Sequence, residues 1–243
     1  MRGWIVPDWP VPGNVRAVVT TRSGGVSAGE YASMNLGFSS GDDREKVAEN
    51  RRILRTHLPS DPVYLRQLHG TDVARLDRLA SRDDVTADAA ATMNRGQVAG
   101  VLTADCMPLL MADREGTRVA AVHAGWRGMA AGVIERAVEA MEIEPAALVA
   151  WMGPTIGPDA FEVGAEVREA FVSRDPLAAG AFKAHTPGKF MADLYALAAL
   201  RLAAAGVGEV HGGGFCTFHE ADRFFSYRRE PKSGRMGAFV WIE

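Results

Sequence analysis

The sequence predicts a mixed α/β fold rather than a doubly wound parallel sheet. Short apolar runs typical of strands outnumber the helical patterns, and they do not alternate regularly with helices as a parallel α/β fold requires. Of the 243 residues, 47% are hydrophobic and 23% are charged, which is typical of a globular protein. No linker-like stretch, charge block or internal repeat divides the chain, so residues 1–243 are predicted to form a single domain.

The first predicted elements are two strands with a helix between them. A β-branched run predicts a strand over residues 15–21, and a glycine-containing turn signal ends it at Arg22. Apolar residues at helical spacing predict a helix over residues 43–58, with Asp at position 43 as its N-cap. A second strand is predicted over residues 63–68, where a histidine and a glycine stop it.

The middle of the chain carries two short apolar runs, at residues 98–102 and 109–112. Proline lacks the N–H that a central strand donates to its neighbour, so Pro108 argues against one continuous strand through this point. We therefore expect Asp105 and Cys106 to lie in a loop between two strands.

The remaining elements follow from the same patterns. An apolar run predicts a strand over residues 119–122, and an apolar stripe from Met129 to Met141 predicts one helix after it. Further helices are predicted over residues 164–172 and 192–205, and further strands over residues 148–152, 224–228 and 238–242.

Composition and charge exclude several classes of protein. A net charge of -3 provides no basic footprint for nucleic acid. Two cysteines are too few for a disulfide framework, and no charged-then-apolar leader opens the sequence. No apolar run reaches the roughly 18 residues that a membrane span needs. We therefore expect a cytoplasmic protein without a nucleic-acid or membrane partner; its oligomeric state does not follow from the sequence.

Three side chains that can bind a metal are predicted to lie at strand ends: His69, Cys106 and His123. Rigid strands position such groups and the following loops expose them, so catalytic residues concentrate there. Two histidines, one cysteine and an open position form a pattern of catalytic zinc. The three residues are far apart in the chain, so only the fold can assemble them, and unconnected loop residues are the alternative.

The same residues allow two other chemistries. Cys106 with His123 as base and Asp105 as orienting residue is an arrangement of a cysteine hydrolase. A blue-copper centre also uses two histidines and a cysteine. A multicopper oxidase needs a further histidine-rich cluster, however, and the chain has only six histidines.

Arginines near the same strand ends indicate an anionic or hydroxyl-rich ligand. Arg22 follows the first predicted strand, Arg127 opens the helix beside His123, and Arg228 closes a predicted strand. A helix N-terminus with a neighbouring arginine binds anions. For each arginine taken alone, a surface salt bridge is the alternative.

Motifs along most of the chain resemble those of one family. They are TTRSGGVS (20–27), SMNLG (33–37), QLHG (67–70), LTADCMP (102–108), HAGWRG (123–128), GPTIGP (153–158), FEVG (161–164), ADL (192–194) and FFSYRR (224–229). In order and number they are similar to those of the YfiH-type family. That family is also called the laccase-domain or polyphenol-oxidase family and is associated with purine nucleoside phosphorylase activity.

The resemblance implies a zinc ion bound by His69, Cys106 and His123, with copper as an older assignment. It implies a layered α/β/β/α fold similar to the cysteine-hydrolase-like catalytic domain of a bacterial toxin. The implied activity is phosphorolysis of adenosine, inosine, guanosine and methylthioadenosine to free base and ribose 1-phosphate, with adenosine deamination alongside. Phenol oxidation and peptidoglycan editing are older names for the family's role.

The implied chemistry assigns roles to further residues. The three metal ligands are also predicted to be catalytic, and Asp105 is the predicted proton-transfer residue. Two more residues, Arg22 and Asn35, are predicted to contact ribose or phosphate. Arg127 and Arg228 are predicted to contact the anionic part of the substrate. The predicted partners are therefore purine nucleosides and phosphate.

Overall fold

A computed structural model describes residues 3–243 and contains twelve strands and five α-helices over that range. The strands are β1 (Val15–Val19), β2 (Val73–Arg75), β3 (Ala89–Thr92), β4 (Ala99–Thr103), β5 (Met107–Asp113), β6 (Val119–Ala124), β7 (Leu148–Met152), β8 (Glu162–Gly164), β9 (Phe182–Ala184), β10 (Lys189–Ala192), β11 (Glu209–Gly212) and β12 (Met236–Ile242). The helices are α1 (Arg44–Arg55), α2 (Trp126–Ala131), α3 (Val133–Ala140), α4 (Ala165–Val172) and α5 (Leu194–Ala204).

The strands form three sheets. A six-stranded sheet has the order β11-β7-β5-β6-β3-β2, and a three-stranded sheet has the order β1-β12-β4. In the large sheet the β11–β7 and β2–β3 pairs are parallel and the other pairs are antiparallel. A small antiparallel sheet, β8-β10-β9, completes the set. The prediction of a mixed α/β fold is therefore confirmed.

The elements form four layers, in the order α1, three-stranded sheet, six-stranded sheet, and helices α2–α5. A hydrophobic cluster fills each of the three spaces between neighbouring layers. The first cluster joins α1 to the three-stranded sheet and includes Leu54 and Phe239. The second lies between the two sheets and includes Val240 and Leu110. The third lies between the other face of the six-stranded sheet and α2–α5, and it includes Leu109. The likeness to a toxin domain stays a prediction.

The central strands are buried on both faces, which explains their unbroken apolar sequences. Every residue of β5, β6 and β12 is buried. Close packing on the three-stranded sheet requires glycine at two positions beside Phe239, one in β4 and one in β12. A Cβ at Gly100 would lie 2.3 Å from Phe239 Cδ1, and one at Gly237 would lie 2.4 Å from Phe239 Cε2. The ring therefore occupies the space that two side chains would fill.

Most predicted elements are confirmed, with small differences at their ends. The predicted helix over residues 43–58 is α1, and the Asp43 carboxylate caps it by accepting hydrogen bonds from the backbone N–H groups of Glu45 and Lys46. The predicted helices over residues 164–172 and 192–205 are α4 and α5. No helix in residues 3–243 has both the length and the apolar character needed to cross a membrane.

The predicted strand over residues 63–68 is wrong. Within it, only Arg66 forms a β-bridge, to Thr86. The Gln67 side chain replaces the missing backbone ladder, because its amide group donates to Leu102 O and accepts from Leu102 N, both at 2.8 Å. An apolar run can therefore lie beside β4 without joining the sheet.

The predicted strand over residues 224–228 is also wrong: Phe224 and Phe225 are fully buried in an irregular segment that leads into a turn at residues 227–229. The Arg229 guanidinium takes the place of a strand partner. It donates to the carbonyl oxygens of Thr217, Phe218 and Phe224 at 2.6–2.8 Å. Burial of two aromatic rings thus produced a strand-like sequence in a non-strand segment.

Two further predictions need correction near the centre of the chain. Gly132 has a φ of 110°, a conformation that glycine adopts readily, and it divides the single predicted helix into α2 and α3. Pro108 lies inside a strand, at the second residue of β5 and opposite His123. It is tolerated there because the ladder has only begun. The loop predicted around Asp105 and Cys106, between β4 and β5, is confirmed.

Candidate functional site

The candidate site lies at one end of the six-stranded sheet, where β5 begins and β6 ends. Their antiparallel register pairs Met107 with Ala124, which brings the residue before β5 close to the residues that end β6. The neighbouring strand β3 begins at the same end, because Ala89 pairs with Val122. Side chains from three separate segments therefore converge at this edge.

The structure brings together the three predicted ligands His69, Cys106 and His123. One potential ligand atom from each lies within 4.8 Å of the others. Cys106 Sγ is 3.7 Å from His69 Nε2, and the two imidazole centroids are 4.7 Å apart. A thiolate and two imidazoles are a donor set that suits zinc or copper, so these residues fit a single bound metal ion.

A carboxylate that was not predicted from the sequence, that of Asp88, organises this cluster. It accepts hydrogen bonds from three consecutive backbone N–H groups, those of Leu68, His69 and Gly70, at 3.1, 2.9 and 2.7 Å. These bonds hold His69 in the left-handed region, with a φ of 60°. The ligand-bearing loop therefore takes its shape from Asp88.

The same carboxylate fixes the second imidazole. His123 Nδ1 lies 2.8 Å from Asp88 Oδ1, which places the ring proton on Nδ1 and leaves Nε2 available as a ligand. Asp88 is only 2% exposed. The one sequence signal that could have revealed it is an acidic residue at the edge of an alanine run, since a buried carboxylate needs strong hydrogen-bond partners.

Charges within the cluster favour the metal-binding form of the cysteine. Burial by itself would raise the pKa of Cys106, but the nearby positive charge of His123 and hydrogen bonds from both histidines lower it to about 6. Burial opposes charging of His123, but the Cys106 thiolate and Asp88 raise the pKa of His123 to about 9. The thiolate is the form that binds metals.

Two glycines make room for the cluster at the junction of β6 and α2. A Cβ at Gly125 would lie 2.9 Å from Cys106 Sγ and 3.0 Å from His69 Cδ2. A Cβ at Gly128 would lie 2.8 Å from the backbone oxygen of Gly70. The glycines of the HAGWRG motif therefore allow the ligands to approach one another.

Asp105 connects the cysteine loop to two other segments. Its carboxylate accepts hydrogen bonds from Thr217 Oγ1 at 2.6 Å and from the Arg228 N–H at 2.7 Å. Its backbone oxygen accepts from Thr155 Oγ1 and from the N–H of Ile156. With a φ of 80°, Asp105 is held in the left-handed region, and it thereby sets the position of the adjacent Cys106.

The cluster lies in a cleft of about 1060 Å³, a size that suits a small molecule. Arg127 and Arg228 line the cleft, as does Asp105. The aromatic and aliphatic side chains that line it are those of Phe38, Tyr64, Leu65, Leu68, Leu102, Trp126, Ile156, Phe161 and Tyr227.

Arg22 and Asn35 lie outside the lining of this cleft. Arg22 donates to the backbone oxygens of Ala32 and Ala221, and its guanidinium lies over the Phe225 ring. Asn35 is fully buried, and its amide oxygen accepts hydrogen bonds from the N–H groups of Gly37 and Arg235. These contacts do not support the predicted direct contact of either residue with ribose or phosphate.

Comparison with known proteins gives consistent matches over the whole chain. A model described as multi-copper polyphenol oxidoreductase laccase matches residues 16–243. A purine nucleoside phosphorylase of Pseudomonas aeruginosa is 51% identical, with 100% of both chains covered. The purine nucleoside phosphorylase YfiH of Escherichia coli is 50% identical, with 98% of each chain covered.

Two solved structures share the fold. The Neisseria meningitidis protein NMB0706 is 46% identical, with a TM-score of 0.95 and 100% of both chains covered. YlmD from Geobacillus stearothermophilus is 31% identical, with a TM-score of 0.91, and the match covers 100% of this chain and 97% of that one. The family match includes the segments that carry His69, Cys106 and His123. The chain therefore belongs to the YfiH-type, multi-copper polyphenol oxidoreductase laccase family.

Proposed function

We propose that the chain is a zinc-dependent purine nucleoside phosphorylase formed by one domain, with adenosine deamination as a second activity of the same site. The observation that carries the proposal is the convergence of His69, Cys106 and His123 within 4.8 Å in a cleft of small-molecule size. The names of the relatives in Pseudomonas and Escherichia supply the reaction class. A cytoplasmic location stays a prediction from composition.

In this proposal the three ligands hold one zinc ion, which would supply Lewis-acid stabilisation of negative charge when bound. Asp88 keeps the ligand loop and the His123 ring in place through its four hydrogen bonds. Arg127 and Arg228, both exposed in the cleft, supply positive charge for an anionic reactant. Aromatic and aliphatic side chains of the lining offer surfaces for a flat base.

Phosphorolysis forms a bond between a phosphate oxygen and C1′ as the bond from C1′ to the purine nitrogen breaks. The base leaves with that electron pair and takes up a proton. Positive charge develops on the ribose, so the chain must hold the phosphate next to C1′. The proton-transfer role of Asp105 stays a prediction, since both of its carboxylate oxygens already accept hydrogen bonds from the chain.

The proposal is tested by incubating adenosine and inosine with the zinc-loaded protein, with and without phosphate, and separating the products by chromatography. Free base that appears only with phosphate is the expected result, and inosine formed from adenosine would report deamination. Intact nucleosides at high enzyme concentration would contradict the proposal. Metal analysis of the same sample distinguishes zinc from the copper that the family's name suggests.

A matched pair of variants connects the activity to the cluster. We expect His123→Ala to lose both zinc and turnover because it removes a ligand. We expect His185→Ala to keep both, because His185 is exposed and its side chain lies near Glu162 rather than the cleft. A His123→Ala protein with full zinc content and full rate would exclude His123 from the ligand set.

One observation favours a second candidate, a cysteine hydrolase. Asp88, His123 and Cys106 lie in the order of an orienting acid, a base and a thiol nucleophile, and the pKa of Cys106 is lowered. This candidate predicts that alkylation of Cys106 abolishes activity and that removal of the metal spares it. The phosphorylase proposal predicts that a chelator stops turnover and that added zinc restores it.

A further inference from the structure

Two arginines of the cleft are half-buried and have no acidic partner. Arg51 projects from α1, and Arg235 precedes β12. Among residues 3–243, neither guanidinium has a carboxylate oxygen within 4.0 Å. Burial lowers the pKa of Arg51 to about 10, and it also lowers that of Arg235, where the negative charges of Cys106 and Asp105 oppose burial only in part. A desolvated positive charge without a counter-ion is unfavourable.

Arg75 is another partly buried arginine, and its guanidinium does have acidic partners. The Arg75 side chain is 14% exposed, and it forms ion pairs with Asp77 at 3.1 Å and with Glu142 at 2.8 Å. Among residues 3–243, Arg51 and Arg235 therefore differ from Arg75 in having no carboxylate oxygen within ion-pair distance.

Both arginine side chains contact one short segment, residues 36–38: Arg51 through its guanidinium and Arg235 through the aliphatic part of its side chain. Arg51 Nε donates to Leu36 O at 2.9 Å, and its Cζ lies 4.1 Å from the Phe38 centroid and 3.4 Å from the Tyr64 centroid. Arg235 passes against Gly37, where a Cβ would lie 2.7 Å from Arg235 Cγ. The two arginines therefore flank the same three residues on the wall of the cleft.

Each arginine keeps donors free for a ligand. Arg51 uses Nε, which leaves both terminal nitrogens without a hydrogen-bond partner in the described chain. Arg235 uses Nη1 for the carbonyl oxygens of Ser233 and Gly234, which leaves Nε and Nη2 free. Stacking and backbone contacts hold the guanidinium planes in position. Planar donors arranged in this way match the oxygens of phosphate.

We propose that Arg51 and Arg235 form the subsite for inorganic phosphate, a role that rests on the proposed phosphorylase function. Buried Asn35 is a positioning residue for this subsite, because its amide oxygen accepts the N–H groups of Gly37 and Arg235 at 3.0 and 2.8 Å. Three other arginines of the cleft are exposed: Arg66, Arg127 and Arg228. Water can hydrogen-bond their guanidinium groups, so the lack of an ion pair does not indicate an anion site at these residues.

The test measures binding of inorganic phosphate by titration calorimetry to zinc-loaded and to chelator-treated protein. We expect Arg51→Gln and Arg235→Gln each to weaken binding by about tenfold or more, because each removes charge-assisted hydrogen bonds. The matched control is Arg52→Gln, since Arg52 is next to Arg51 on α1 but is exposed, pairs with Glu49 and does not line the cleft. The control is expected to bind phosphate like the wild type.

Steady-state kinetics separate the subsite from the reaction. We expect the KM for phosphate to rise by about tenfold or more in both variants, with the KM for inosine within about twofold of the wild type. If phosphate binding depends on the two arginines but nucleosides stay intact, the subsite is correct and the phosphorylase function is wrong. If free base forms and both variants keep the wild-type KM for phosphate, the phosphorylase function is correct and the assignment of the phosphate subsite is wrong.

Arginine modification and nucleotide titration test the subsite in two further ways. If the variants do not fold, arginine modification of the wild-type protein by phenylglyoxal replaces them. Phosphate should then protect Arg51 and Arg235 but not Arg52, and equal modification with and without phosphate would overturn the proposal. Adenosine 5′-monophosphate is titrated as a second arm. Binding of this nucleotide through the two arginines, without binding of inorganic phosphate, would also overturn it.

Discussion

Among the single residues of the site, Asp88 connects the two histidines of the cluster. One carboxylate receives three backbone N–H groups of the His69 loop and the Nδ1–H of His123. Burial opposes its ionisation, but these hydrogen bonds outweigh burial and hold the pKa of Asp88 below its usual range. Asp88 is therefore charged at neutral pH and orients both histidines that are predicted to be ligands.

We predict that Asp88→Asn lowers zinc affinity by about 10–100-fold, because the amide keeps the shape of the carboxylate but loses its charge. Competition with a chromogenic chelator measures the affinity, and circular dichroism reports whether the fold is retained. The control is Asp83→Asn in an exposed loop, which should bind zinc like the wild type. A folded Asp88→Asn protein with unchanged affinity would show that this carboxylate does not support the metal.

The charge state of Cys106 leads to a pH prediction for the metal-free protein. Since its pKa is lowered to about 6, the reactive thiolate should be lost as the pH falls through about 6. Alkylation by iodoacetamide, followed by mass spectrometry, should show half-maximal reactivity of Cys106 near pH 6. His123→Ala should move this midpoint upward, because the stabilising positive charge is removed.

Zinc provides a control for this experiment, since a bound ligand atom is protected from alkylation. Cys216 provides an internal comparison, because it is also a free thiol and its Sγ accepts a hydrogen bond from the Gly157 N–H. A Cys106 midpoint well above pH 8 would contradict the proposed thiolate–imidazolium pair.

At the scale of elements, the junction between β6 and α2 decides whether the ligands can meet. The chain turns at Gly125, beside both Cys106 and His69. We predict that Gly125→Ala loses most of its zinc, because the added methyl group would lie 2.9 Å from Cys106 Sγ, closer than van der Waals contact allows. Metal content after dialysis measures the effect.

The matched control for this substitution is Gly180→Ala, because a Cβ at Gly180 meets no atom within 4 Å. Both variants are expected to fold, since Gly125 has a φ of -69°, which alanine also adopts. Full zinc occupancy in Gly125→Ala would show that the junction can widen at no cost to the site.

At the scale of the whole molecule, the proposed metal site joins parts of the chain that are distant in sequence. His69 follows an irregular segment, Cys106 precedes β5 and His123 lies in β6. Zinc that binds only the folded state stabilises it by about 2.7 kcal/mol when free zinc is 100 times the Kd. We predict a rise in Tm of about 5–10 °C under that condition.

Differential scanning fluorimetry at fixed protein concentration measures this rise, and a chelator should reverse it. Magnesium is the control, because it prefers oxygen ligands and should leave Tm unchanged. A Tm that does not respond to zinc would contradict binding at a site that exists only in the folded protein.

Sequence patterns predicted the elements whose signals are local. Helix α1 follows from apolar spacing and from the capping carboxylate of Asp43, and both act within a few residues. Strands β5, β6 and β12 follow from apolar runs, because both of their faces are buried. The apolar runs at residues 63–68 and 224–228 led to wrong strand predictions. In the structure, the side chains of Gln67 and Arg229 make the hydrogen bonds that a neighbouring strand would have made.

Local patterns and motifs were enough to predict the mixed α/β class, the family and three candidate ligands at the ends of apolar runs. The packing of distant segments brings these candidate ligands together, places Asp88 against both histidines, and puts Arg51 and Arg235 on one wall of the cleft. The two kinds of feature differ in the distance along the chain over which the interactions act. Propensity and capping act between neighbours in the chain, whereas ligand convergence and the desolvation of unpaired charge depend on how distant segments pack.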